Sequence, residues 1–245
     1  MPRTLAYHRP STIAEALDLL GNGCIPLAGG TVLNADDDPT PVSMVDLQAL
    51  SLSDIATNDD ELRLGAMATL HDLASDHQLP SGVSEAARAE LPSTLRTLAT
   101  VGGTVAVRNA DSVLLAALLV HEAAVEVVGP GGSAITTLPH LLSEGIPEGN
   151  LITAVRIAIG GESVRRSTAR TPADQPIVSA TARQTREGMI LVAVTGVADY
   201  PVLVDPENPT MGLNPSGDFR GSRDYRCRLA EILTARAVAD VGGIA

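Results

Sequence analysis

The sequence predicts an α+β protein: a two-part region that carries a ligand site, then a small sheet with a terminal helix. Three observations lead there. Residues 1–159 interleave short apolar or alternating runs with helical stripes that open on Ser or Thr. A stretch rich in Gly, Arg, Ser and Thr at 160–172 interrupts that pattern. Beyond it, two strand-like runs joined through Arg186-Glu187-Gly188 precede one long amphipathic segment.

The elements follow in order. Thr12 and Glu15 stand at capping-box spacing, and Ile13, Ala16, Leu17 and Leu20 form one helical stripe that Gly21-Asn22-Gly23 stops. Residues 25–28 form a short buried strand, and 43–47 a second one after a loop broken by Pro39 and Pro41. The run Asp36-Asp37-Asp38 reads as a solvated loop face. Residues 61–67 place Leu62, Leu64 and Ala66 on one side, as a half-buried strand does. Thr69 caps a helix through Leu73, 84–91 forms another, and Asp111 or Ser112 caps an apolar helix from Val113 to about Glu122. Residues 123–128 and 134–137 make a hairpin about the 129–132 turn, and 150–159 is a further strand. The 160–172 stretch reads as an interdomain crossover. Runs 177–184 and 189–197 pair as strands, 201–221 is a Pro- and Asn-rich loop, and a final helix spans about 222–238.

The most informative feature is the tetrapeptide Gly-Gly-Thr-Val, present at 29–32 and again at 102–105. Each copy follows a short apolar stretch. A glycine pair removes two side chains and permits positive φ, so backbone N–H groups can approach a ligand closely. Inward-turned N–H groups form a nest for anions such as phosphate. Two such loops imply two walls of one site suited to a dinucleotide.

Composition excludes several alternatives. With 245 residues the chain can bury a substantial core, and 19% charged residues argue against disorder. A net charge of −12 disfavours nucleic acid as partner. Apolar runs such as 113–120 fall short of a membrane span, and Met1-Pro2-Arg3-Thr4 opens no signal-peptide core. The two cysteines, Cys24 and Cys227, are too few for a disulfide framework or an iron–sulfur cluster, so a reducing cytoplasm is expected. Gly129-Pro130-Gly131-Gly132-Ser133-Ala134 matches the dinucleotide fingerprint by letter. However, Pro130 and the β-branched Ile135-Thr136-Thr137 predict a hairpin where that fingerprint needs a helix. No phosphate-binding loop of the Walker type and no Ser nucleophile elbow occur, and the five histidines are scattered. Catalytic chemistry, if present, must come from a bound cofactor. With one Phe, three Tyr and no Trp, a bound ring would meet aliphatic walls and backbone.

Taken together, these residues resemble the FAD-binding medium subunit of the molybdenum hydroxylases, the group of carbon monoxide dehydrogenase and xanthine dehydrogenase. Residues 26–33 (PLAGGTVL) look like the family's first flavin loop, and residues 96–106 (RTLATVGGTVA) are similar to its second. Met44-Val45-Asp46-Leu47, the strand at 62–66, and Tyr225-Arg226 at the start of the last helix add matches in order.

The resemblance implies the PCMH-type FAD-binding fold, with two α/β subdomains at 1–55 and 56–165 clasping FAD and a C-terminal domain at 173–245. It further implies that electrons leave a molybdenum-cofactor large subunit and cross the [2Fe–2S] clusters of a small subunit. They then reach FAD here and pass to an external acceptor, within a dimer of heterotrimers. Leu27, Ala28, Gly29, Gly30, Thr31, Val32 and Leu33 should run beside the diphosphate and ribityl chain. Ala99, Thr100, Gly103 and Thr104 should approach the diphosphate and ring, with Leu151 or Ile152 packing on the flavin. Asp111 reads either as an acceptor for ribityl hydroxyls or as a helix N-cap. Thr104 and Val113 stand where the family carries Asn and Asp. A second reading is therefore a relative that has lost FAD and serves as a structural or assembly subunit.

Overall fold

The computed structural model describes residues 4–35, 40–58, 60–169, 171 and 174–243. Strand β1 (Thr4–His8) leads through Thr12, whose hydroxyl caps α1 (Ile13–Gly21), to β2 (Ile25–Leu27) and β3 (Val42–Asp46). The three strands pair in parallel in the order β1-β3-β2. The Glu15 amide donates to Thr12 at 3.2 Å, while the Glu15 carboxylate accepts from the Ser11 amide at 3.1 Å. The first turn is thus closed from both sides, one residue off a regular capping box.

A five-stranded antiparallel sheet follows. It is built from β4 (Ile55–Asn58), β5 (Glu61–Gly65), the hairpin β6 (Ala124–Gly129) and β7 (Gly132–Thr137), and β8 (Leu151–Ala158), in the order β4-β5-β8-β6-β7. Between β5 and β6 run α2 (Leu70–Ser75), α3 (Ser81–Glu90), α4 (Ser93–Arg96), α5 (Val101–Val107) and α6 (Val113–Val120), and α7 (Leu138–Glu144) follows β7. Side chains of Thr69, Thr100, Ser112 and Thr137 cap α2, α5, α6 and α7. Ser112, not Asp111, is therefore the cap of the apolar helix.

The third sheet comprises β9 (Ser163–Thr168), β10 (Val178–Gln184), β11 (Ile190–Thr195) and β12 (Val202–Val204), in the antiparallel order β12-β11-β10-β9, with α8 (Arg223–Gly242) packed on it. The stretch at 160–172 is thus not simply a crossover, because it contains β9. Ser-Val-Arg-Arg-Ser-Thr lacks an apolar alternation because β9 is an edge strand, bonded only to β10. For the same reason β1 and β12, both at sheet edges, leave a weak periodic signal.

Every residue of α6 is buried. A helix apolar on all sides must be enclosed. Here it packs against α3, α5 and α7 and against β10, β11 and β12 of the third sheet. The C-terminal end of α6 meets a cation, Arg183. Arg183 Nη1 donates to the Val120 carbonyl at 2.9 Å and its Nε and Nη2 donate to the Gly160 carbonyl at 3.0 and 2.8 Å. His121 is fully enclosed, with Nδ1 3.0 Å from the Ala158 carbonyl and Nε2 3.2 Å from Ser163 Oγ. Burial pushes its pKa down from 6.5 to about 4, so the ring folds neutral.

Because this base is harder to protonate folded than unfolded, the unfolded chain binds more protons between those two values. Stability therefore falls as pH drops from 6.5 toward about 4. Chemical denaturation of the protein and of His121→Gln at pH 7 and pH 5 should show the unaltered chain losing about 2 kcal/mol more than the variant. Equal losses would remove His121 as the cause.

Candidate functional site

Strand β2 ends at Leu27, whose carbonyl accepts from Leu47 N at 3.1 Å, and the chain then leaves the sheet. A Cβ on Gly29 would lie 1.8 Å from the Leu98 carbonyl oxygen, so the first glycine loop rests directly on the backbone leading to the second. Gly30 has φ +67, which turns the chain back on itself, and the turn closes through Asn34 N to the Gly30 carbonyl at 2.9 Å. Among the described residues, the backbone N–H groups of Gly29, Gly30, Thr31, Val32 and Leu33 have no hydrogen-bond partner.

The second pair behaves differently. Gly102 and Gly103 lie inside α5 with helical backbone, so positive φ is not what they provide. Gly102 lets the helix start rest on β5's exit: its Cβ would stand 2.8 Å from Ala66. The first N–H groups of the helix are all engaged. Val101 N donates to the Ala68 carbonyl, Gly102 N to Ala66, Gly103 N to Thr100 Oγ1 at 3.1 Å, and Thr104 N to the Thr100 carbonyl at 2.9 Å. The expectation of two equivalent anion nests is therefore corrected. The first loop presents unengaged amides, and the second presents a smooth helical wall.

Both walls face one cavity of about 330 Å³. Leu27, Ala28, Gly29, Gly30, Thr31, Val32 and Leu33 line one side, and Ala99, Thr100, Gly103 and Thr104 line the other, extended by Ala106, Val107 and Asn109. Thr104 Oγ1 donates to the Thr100 carbonyl at 3.0 Å, and Val113 is buried in α6 away from the cavity. Leu151 and Ile152 are buried and stand behind this surface: Leu151 packs in one cluster with Ala28 and Met67, Ile152 in the main core. Asp111 does not line the cavity, because its carboxylate pairs with Arg220 at 2.8 Å. Asp36, Asp37 and Asp38 lie outside the described residues.

A second cavity of about 890 Å³ adjoins the first, sharing Glu90, Leu91 and Asn109 with it. Its other walls come from α4, with Arg96, and from β9, with Arg165 and Ser167. Glu90 Oε2 accepts from Leu114 N at 2.8 Å and so helps cap α6, while burial pushes its pKa up against those hydrogen bonds. Sequence reasoning missed Glu90, Asn109, Arg96 and Arg165. Only Asn109 left a trace, an Asx turn in which its Oδ1 accepts from Asp111 N at 2.9 Å.

Two backbone loops enclose one cleft whose lining, among the described residues, carries no cluster of metal-ligating side chains and one carboxyl, Glu90, engaged with Leu114 N; this suits a cofactor-holding module. Residues 3–158 match the family described as the FAD binding domain in molybdopterin dehydrogenase, and the chain belongs to that family. It is an oxidoreductase subunit with FAD as its cofactor. It is 28% identical over 251 residues to the uncharacterized protein YgfM of Escherichia coli (strain K12), covering 96% of this chain and 95% of that one. It is 27% identical over 278 residues to the carbon monoxide dehydrogenase medium chain of Afipia carboxidovorans, covering 97% of this chain and 96% of the relative. The fold superimposes on a chain of the Cu,Mo-CO dehydrogenase in its cyanide-inactivated form with a TM-score of 0.90, at 26% identity and with 100% of each chain covered. Among the described residues no helix is long and apolar enough to cross a membrane.

Gly29 and Gly103 should separate by experiment. Gly29→Ala forces the Leu98 backbone away and should cost about 1–3 kcal/mol of stability even without cofactor. Gly103→Ala meets only Thr100 Oγ1, at 3.0 Å, and gains helix propensity, so its melting temperature should stay close to that of the unaltered chain. Thermal melts of the two cofactor-free variants check this, and equal destabilisation would refute the division of roles.

Proposed function

We propose that this chain is the electron-transfer flavoprotein of a molybdenum-containing hydroxylase, receiving electrons from the [2Fe–2S] clusters of a small subunit and delivering them to an external acceptor. The observation that carries the reading is the cleft formed by the two glycine loops, with five amides on one wall that have no partner among the described residues. Amides directed at a diphosphate act as fixed partial charges and need no lysine or arginine. Gly103 leaves the facing wall open for close approach, and Thr104 adds a hydroxyl there. Leu27 to Leu33 hold the diphosphate and ribityl chain, while Ala99, Thr100, Gly103 and Thr104 form the opposing surface. Leu151 and Ile152 support the site from β8 instead of touching the ligand, because both are enclosed in the core.

Bound FAD supplies the redox chemistry, and the residues of this chain position it, shield it and set the charge around it. The clusters belong to another subunit, since Cys24 and Cys227 cannot supply four thiolates. The same reading places a molybdenum-cofactor large subunit in the assembly, in a dimer of heterotrimers. Substrate contacts then lie on that large subunit.

The purified chain should be yellow and release about one FAD per chain on denaturation, measured by absorbance. Colourless protein that takes up no added FAD would overturn the reading. Gly103→Val puts a branched side chain into the cleft and should abolish bound flavin while circular dichroism stays that of a folded chain. Full flavin occupancy in that variant would move the diphosphate elsewhere.

A further inference from the structure

We infer that Arg165 is the positive charge that faces the redox-active ring of bound FAD and raises its potential. The inference rests on the flavoprotein reading above and adds a residue to it.

Strand β9 alternates its side chains, as any strand does. Val164 packs into the third sheet's core and Arg166 Nε pairs with Asp240 of α8 at 2.6 Å. Arg165 and Ser167 therefore point the opposite way, into the second cavity. Arg165 is only partly exposed, and burial pushes its pKa down. Among the described residues its guanidinium has no hydrogen-bond or ion-pair partner, and Glu85 and Glu90 act on it only at a distance. On the α4 wall of the same cavity, Arg96 Nη1 donates to the Arg88 and Leu91 carbonyls at 2.7 and 3.0 Å, while its Nε is buried with no partner among the described residues.

This is not how the chain treats its other enclosed guanidiniums. Arg183 meets two carbonyls and Glu122, and Arg226 meets the Ile177 and Gly196 carbonyls and Asp218. A desolvated, unpaired cation is costly unless something negative arrives. A dinucleotide also outgrows a 330 Å³ cavity, near the lower end of ligand-site sizes. One end of it must pass Glu90, Leu91 and Asn109 into the larger space. The adenine end carries no charge in either redox state. Arg88 and Arg96, which also line this cavity, spend donors on backbone carbonyls; the isoalloxazine ring gains negative charge when reduced, so it is the end that the Arg165 guanidinium selects, and the reduced form is the one it favours.

The test is a spectroelectrochemical titration of the full chain loaded with FAD. Arg165→Met should keep its flavin but lose about tenfold in preference for the reduced ring, a fall of about 30 mV for a two-electron couple. Arg165→Lys should retain most of the potential, and it keeps the question open to measurement if the methionine variant does not fold. Arg166→Met, on the other side of the strand, should leave the potential unchanged. An unaltered potential in flavin-loaded Arg165→Met, or an equal fall in Arg166→Met, overturns this assignment while the flavoprotein reading stands. Failure of the unaltered chain to hold FAD overturns both.

Discussion

The site depends on one close approach: the backbone of Gly29 against the carbonyl of Leu98. The three-stranded parallel sheet delivers the first loop from the end of β2, and the helices between β5 and β6 deliver the start of α5. The two meet because no side chain stands between them. Gly102 plays the matching part on the other side, seating α5 against Ala66 at the end of β5. Each Gly-Gly pair therefore divides its labour. One glycine in each pair makes a close backbone contact, Gly29 on Leu98 and Gly102 on Ala66, and the other shapes the cleft surface: Gly30 by its positive φ, Gly103 by its lack of a side chain.

The third sheet is tied to this frame by enclosed arginines. Arg183 reaches from β10 to the last carbonyl of α6, and Arg226 reaches from α8 to the Ile177 and Gly196 carbonyls at 2.9 and 2.8 Å. Asp218 completes the set: Arg226 foremost, with Arg220, holds its carboxyl well below the usual range. Arg220 also binds Asp111, so a residue adjacent to the α6 cap is linked to the loop before α8. A buried charge with several partners is hard to displace, because removing one partner strands the other. Strand β9, a wall of the second cavity, is held by its pairing with β10 and by the Arg166–Asp240 ion pair to α8.

Much of this was legible in the residues, and the reasons for the rest are specific. Thr12, Thr69 and Ser112 marked helix starts because capping is local, settled by side chains within three residues of the amides they bind. The hairpin at Gly129–Gly132 was readable because Pro130 cannot continue a strand into a phosphate-binding helix. The second glycine loop was recognised as part of the site but not as a helix, since Gly-Gly is a poor helix former. Contacts to Ala66 and Ala68, far away in sequence, impose the helical turn there. Edge strands β1, β9 and β12 bury little and so leave little apolar pattern.

The sequence by itself determined that two glycine-bearing segments stand out and that their order marks the flavin-binding architecture. Such motifs depend on residue identity over a few neighbouring positions. Only the tertiary structure decided which amides, among the described residues, remain available, that Asp111 is held by Arg220, and that Arg165 has no partner among the described residues at the cavity wall. Hydrogen-bond satisfaction is a property of atoms brought together from distant parts of the chain, and no local pattern of letters encodes it.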